Sequence, residues 1–197
     1  YLYKDILALD SIGKLEKLVK LLQALALQIG SQVSYNEIGQ LVGLDTKTVD
    51  RYIDVLEKNY VIFRLGSFAR NLRNELKASR KIYFYDNGIR NAVLANFSML
   101  ESRTHEEAGA LWENFIISER IKHNAYSDSY CNSWFWRTQQ QKEIDYIEEE
   151  DGQISTFEFK WNPGAKYKYP QQFIEAYPNS SFKVINRSNI EEFLLDL

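Results

Sequence analysis

The chain has 197 residues, 45% of them apolar and 14% aromatic, with 24 Lys and Arg against 27 Asp and Glu. That composition fits a folded protein of one large or two small domains and excludes a fibre or a disordered tail. At a net charge of -3, polyanion binding has to come from local basic patches, while one cysteine and two histidines exclude an internal disulfide and leave a thiolate or imidazole zinc site short of ligands.

The lone Cys131 favours a reducing, cytoplasmic compartment. The longest apolar run, "LVKLLQALALQI", is interrupted by Lys20 and Gln23 and is shorter than the roughly 20 residues of a membrane span, so no membrane contact is expected. Starting at Tyr1 without an initiator Met, the chain enters helical sequence almost at once, as expected of a region cut from something longer.

Leu15, Leu18, Val19, Leu22, Leu25, Ala26 and Ile29 recur at three-four spacing and predict a helix with one buried face. In "VSYNEIGQLVGL", Ser34 and Glu37 form a capping-box pattern and Gly43 suits a left-handed stop. Asp45 then caps "TKTVDRYIDVLEKN", whose buried stripe is Val49, Tyr52, Ile53 and Leu56. Two short helices so closely joined make a helix-turn-helix pattern, with "YVIFRLGSF" as the start of a wing. Thr46, Lys47, Thr48 and Arg51, on the first turns of the second helix, are the residue types that reach phosphates and base edges. The basic stretch from Arg64 through Arg70, Arg73, Lys77, Arg80 and Lys81 offers further phosphate contacts; a protein-binding or dimerisation module is the other use of such a pattern. This unit is expected over residues 1–80.

Residues 81–197 predict a second, α/β domain. "KIYFYDNGIRNAVLAN" reads as a strand and a helix capped by Asp86 or Asn87, and a long helix follows over about Glu106 to His123, with Phe115 along its apolar stripe. "NSWFWRT", "EIDYIEE", "ISTFEFKW" and "SFKVI" are strands, with Asp151-Gly152 turning the central hairpin and a helix near Gln171 to Ala176. Alternation puts Glu143, Asp145 and Ile147 on one face, and sets Glu158 and Lys160 opposite Phe157, Phe159 and Trp161. Asp145 and Glu158 can then share one hard cation, with Lys160 beside them to position a water; a solvated sheet face is the alternative.

Asp145 followed by Glu158-Phe159-Lys160, with Glu113 on the preceding helix, resembles the PD-(D/E)XK nuclease family, apart from Ile144 in place of the proline before the aspartate. The ordered blocks "VSYNEIGQLVGLDTKTVDRYIDVLEKNYVIFRL", "KIYFYDNGIRNAVL", "GALWENFIISE", "FWRTQQQKEIDYI" and "FEFKW" further resemble the C-terminal region of a prokaryotic family of AAA-type P-loop ATPases. The resemblance implies an α+β chain: a winged helix-turn-helix followed by a restriction-endonuclease-like α/β domain with a mixed central sheet. It implies a magnesium or manganese site of Glu113, Asp145 and Glu158, with Asp145, Glu158 and Lys160 catalytic. Nucleic acid, DNA first, an upstream ATPase module of the same polypeptide and a second copy of the chain are the implied partners. ATP belongs to the upstream module alone, since no P-loop motif is present here. Such folds also persist as inert regulatory or oligomerisation modules. Tyr167, Tyr169, Tyr177 and the Trp134 to Trp136 segment fill the core or stack on bases, and Gln171 and Gln172 stand where a nuclease fold places a substrate contact.

Overall fold

The computed structural model describes residues 15–69, 80–127 and 130–195, and no helix among them is long and apolar enough to cross a membrane. Where the sequence reading divides the chain at 80/81, these residues cluster otherwise: 15–64 with 80–102 in one unit, 65–69 with 103–195 in the other. Strand and helix content together make a mixed α+β chain, helices first and most of the sheet later.

In the first unit, α1 (Leu15–Leu27) buries Leu18, Leu21, Leu22, Ala24, Leu25 and Ala26, while Leu15 stays 43% exposed. The buried face is thus turned slightly from the predicted one, toward Leu21 and Ala24. After β1 (Gln32–Val33), α2 (Tyr35–Val42) starts where the Ser34 hydroxyl accepts the Glu37 N–H at 3.3 Å and ends at Gly43, φ 69°. α3 (Thr46–Lys58) follows, with Asp45 accepting the Thr48 N–H at 2.9 Å and the Thr48 hydroxyl at 2.7 Å. Its buried residues are the predicted Val49, Tyr52, Ile53 and Leu56. Two adjacent capped starts fix the turn between the helices, because each cap satisfies amides that would otherwise lack partners. Close approach does the rest: the Leu44 N–H donates to the Gly39 carbonyl, and a β-carbon on Gly39 would sit 2.6 Å from the Leu44 oxygen. β2 (Ile62–Ser67) and β3 (Arg80–Phe84) complete a three-stranded order β1-β3-β2, with β1 antiparallel to β3. α4 (Asn87–Val93), capped by Asp86, sends buried Arg90 back to the Ala26 carbonyl of α1 at 3.1 Å.

In the second unit, the end of β2 pairs in parallel with β4 (Asn132–Arg137), and β5 (Glu143–Glu150), β6 (Gln153–Phe159) and β7 (Ser181–Ile185) follow in order. β4, β5 and β6 are antiparallel neighbours; β6 and β7 are parallel. Asp151 and Gly152, both at positive φ, make the predicted hairpin turn. α6 (Gln171–Ala176) sets Phe173 against Ile144 and Ile147 in one core cluster. Beside Tyr146, Phe157 and Phe159 packs Phe193 of α7 (Ile190–Leu194), an element the sequence reading missed.

The long helix, α5 (His105–Tyr126), is anchored by charge as well as by apolar contact. Asn114 and Ser118 are buried on it while Phe115 is 40% exposed, so its inner face is more polar than the predicted stripe. Arg120 grips Glu148 of β5 with two bonds of 2.9 and 3.0 Å and also donates to the Phe193 carbonyl at 2.9 Å. Asn124 and the Tyr146 hydroxyl complete the cage around this 6% exposed carboxylate. Each oxygen is satisfied, as a buried charge requires.

Two outcomes are expected in denaturant unfolding. Gly39→Ala should cost about 1–3 kcal/mol, because the neighbour it meets is backbone. Arg120→Ala should cost roughly 3–5 kcal/mol by stranding Glu148, and Arg120→Met with Glu148→Leu should recover much of the loss.

Candidate metal and nucleic-acid sites

β5 carries a bulge in the stretch that holds Asp145. Trp134 faces Ile147 and Trp136 faces Ile144, so two steps along β4 match three along β5. One residue of β5 is extra, and alternation resets across it. Ile144 and Ile147 consequently pack in one core cluster, so simple alternation does not run unbroken from Ile144 through Asp145 to Ile147. The paired register of β5 and β6 ends at Tyr146 and Phe157, and beyond it the Asp145 carboxylate accepts the Phe159 N–H at 2.8 Å.

Glu158 lies on the opposite face from Phe157 and Phe159, as alternation predicts. It is 4% exposed; Lys160 Nζ donates to its Oε1, and its Oε2 is buried without a hydrogen-bond partner. Close to this carboxylate is the Tyr167 hydroxyl, committed as a donor to the Glu143 carbonyl. Burial pushes the Glu158 carboxyl above the usual range against the pull of Lys160. For Lys160, burial works downward, but the bond to Glu158 and the charges of Glu158, Asp145 and Glu113 outweigh it and raise the ammonium. Those same charge effects place Glu113, half-buried on α5, within electrostatic reach of the pair.

Among the described residues, no three His, Cys, Asp or Glu side chains gather closely enough to hold one metal ion. Glu113, Asp145 and Glu158 share a neighbourhood without forming that set. The donor chemistry fits a hard cation held by two carboxylates and water, with the unpartnered Glu158 oxygen as the best-prepared ligand. A cavity of about 510 Å³ opens beside it, lined by Glu158, Tyr167, Lys142, Lys168 and Gln171 among others. Of the two predicted glutamines, Gln171 therefore lies by the site. A larger cavity of about 790 Å³ borders Arg120, Glu148 and Cys131 and contains none of the predicted catalytic groups.

In the first unit, Thr46, Lys47 and Arg51 are exposed at the start of α3, and Thr48 is partly covered and bonded to Asp45. Arg64 is not available for phosphate: its guanidinium binds Glu57, lies 2.6 Å from Asp54 and 3.7 Å from Asp50, and is only 20% exposed. Those acids step along one side of α3 at four- and three-residue spacing, a signal already visible in the sequence. Lys81, 1% exposed, is likewise removed from any phosphate, whereas Arg70, Arg73 and Lys77 lie outside the described residues.

Residues 1–100 match the model of a domain of unknown function, DUF8612, and the chain belongs to that family. A second model, also for a domain of unknown function, DUF4143, matches residues 108–193. The chain is similar to uncharacterized proteins of Mycobacterium bovis and Mycobacterium tuberculosis, 29% identical to each over 131 residues. That stretch is 66% of this chain but only 29% of the length of those relatives. No solved structure matches.

Cys131 is held away from reactivity: burial first, then Glu148 and Glu150, push its thiol up to about 12. Fewer thiolates, partly offset by their greater intrinsic nucleophilicity, should make iodoacetamide alkylation at neutral pH roughly a hundredfold slower than for a free cysteine, as read by mass spectrometry.

Proposed function

We propose that the second unit is a PD-(D/E)XK-like phosphodiesterase site serving as the effector region of a cytoplasmic AAA-type ATPase, with the helix-turn-helix unit as its DNA-binding partner. The single observation that carries this reading is the buried, unpartnered Oε2 of Glu158, next to Lys160 and close to Asp145. An unsatisfied buried carboxylate oxygen is costly, and it persists most readily where a cation or a reaction uses it.

Asp145 and Glu158 would hold a magnesium or manganese ion, and Glu113 adds negative charge nearby. Bound there, the metal supplies a Lewis acid for a phosphoryl oxygen and an acidified water. Asp145, tied to the Phe159 amide, keeps one ligand fixed to the end of β6. Lys160 holds a proton and a positive charge at the position where a water or a phosphate oxygen would be oriented. On Glu158, burial sets up competition between proton and cation, so metal binding releases a proton where the carboxyl is still protonated.

A second reading has its own support. The Lys160–Glu158 ion pair and the lack of a three-carboxylate set among the described residues suit a fold kept as an inert regulatory or oligomerisation module that binds protein.

Manganese titration by calorimetry separates the two. The metal reading expects one-site binding that Glu158→Gln or Asp145→Asn abolishes, an affinity that drops on acidification at higher pH than for an exposed carboxylate pair, and cleavage of nucleic acid that needs Lys160. Silence in the wild-type chain would favour the inert module.

A further inference from the structure

We infer that the cavity beside Glu158 admits an unpaired nucleic-acid strand, gripped through its phosphates by Lys142 and Lys168. This rests on the metal-site reading above and names the substrate that the site would take.

The cavity has two walls. Lys142 closes the turn between β4 and β5, and Tyr167 and Lys168 belong to the segment that leads into α6. Tyr167 ties the walls together: its hydroxyl reaches the Glu143 carbonyl, its ring lies 5.6 Å from that of Phe182, and Lys160 sits 5.3 Å above it. The opening is therefore built into the fold and lined by a buried carboxylate whose Oε2 lacks a partner.

Charge is distributed unevenly across it. Glu158 is almost fully buried and Glu143, which also lines the opening, is held 3.3 Å from Arg137, while Lys142 and Lys168 are exposed at the rim and neither side chain makes an ion pair among the described residues. A cationic ligand would meet two ammonium groups first. A lone anion would meet the acid. A phosphodiester strand that arrives with a divalent cation would satisfy both, since the carboxylates would hold the cation and the lysines would hold the phosphates.

Size and depth select the unpaired strand. About 510 Å³ is the scale of a pocket for one small ligand, such as a single nucleotide. A duplex carries its phosphates on a convex surface, whereas Glu158 is 4% exposed, so only a phosphate lifted out of that surface reaches it. Phosphate is the group that the two lysines would read, and DNA and RNA share that chemistry.

The test is fluorescence anisotropy of labelled oligothymidylate, oligouridylate and a DNA duplex of equal length, with calcium as the only divalent cation so that a hard-cation site can be filled, comparing the wild-type chain with Lys142→Ala/Lys168→Ala and with Lys142→Arg/Lys168→Arg. Because the helix-turn-helix unit can hold duplex on its own, the readout is the change that the substitutions cause. Expected is about a tenfold loss for single strands, a salt slope shallower by about 1.4, little change for duplex, and recovery in the arginine variant. The sugar that shows the larger loss identifies DNA or RNA as the source, and equal losses place recognition on phosphate alone. Unchanged single-strand binding, or an equal loss for duplex, overturns the inference. Manganese calorimetry on the alanine variant keeps the two readings apart: metal binding retained with strand binding unmoved sinks only the strand path, and no metal binding in the wild type sinks the site itself.

Discussion

The hydrogen bond from the Phe159 amide to Asp145 sits at the point where β5 and β6 stop pairing, and the candidate site is organised around it. An aspartate in regular alternation would carry its side chain on one face of the strand, away from its neighbour's backbone. Here β5 holds an extra residue in this stretch, and the Asp145 carboxylate accepts an amide beyond the last paired residues of the ladder. Glu158 and Lys160 then flank Phe159 at the end of β6. Three polar groups are thereby brought to one end of the sheet by backbone geometry, with no long loop involved.

Charges elsewhere in the chain follow a different logic. Glu148, two residues from the aromatic Tyr146, is as deeply buried as Glu158 but fully caged by Arg120, Asn124 and Tyr146. Arg64 is likewise absorbed by the acids of α3. In both, every charged group has a partner within its unit, which is the usual condition for a structural ion pair. Glu158 differs because one oxygen is left over. That difference, rather than burial or charge alone, separates a candidate ligand from a girder.

Local signals carried most of what the sequence revealed. Ser34, Gly43 and Asp45 act over three or four residues, and the helices they bound stand where the caps place them. Asp151-Gly152 is equally local and fixes the hairpin. The bulge is not local: whether β5 gains a residue depends on Trp134 and Trp136 of a different strand, so the facing of Asp145 could not be read from alternation. The loss of Arg64 to Asp50, Asp54 and Glu57 was partly legible, since those acids line one side of a predicted helix. Arg120 and Glu148 lie 28 residues apart and were missed, because a charged residue on an amphipathic pattern reads as solvent-facing.

Backbone amides at the site give the most direct view of a bound ion. Manganese added to the isotopically labelled chain, followed by amide NMR, should broaden Phe159 and its neighbours in β5 and β6 first, at substoichiometric metal, and leave α3 untouched. In Glu158→Gln the selective broadening should vanish while the rest of the spectrum is preserved. Broadening spread over exposed carboxylates with Phe159 spared, or persisting unchanged in Glu158→Gln, would contradict a metal site at Asp145 and Glu158.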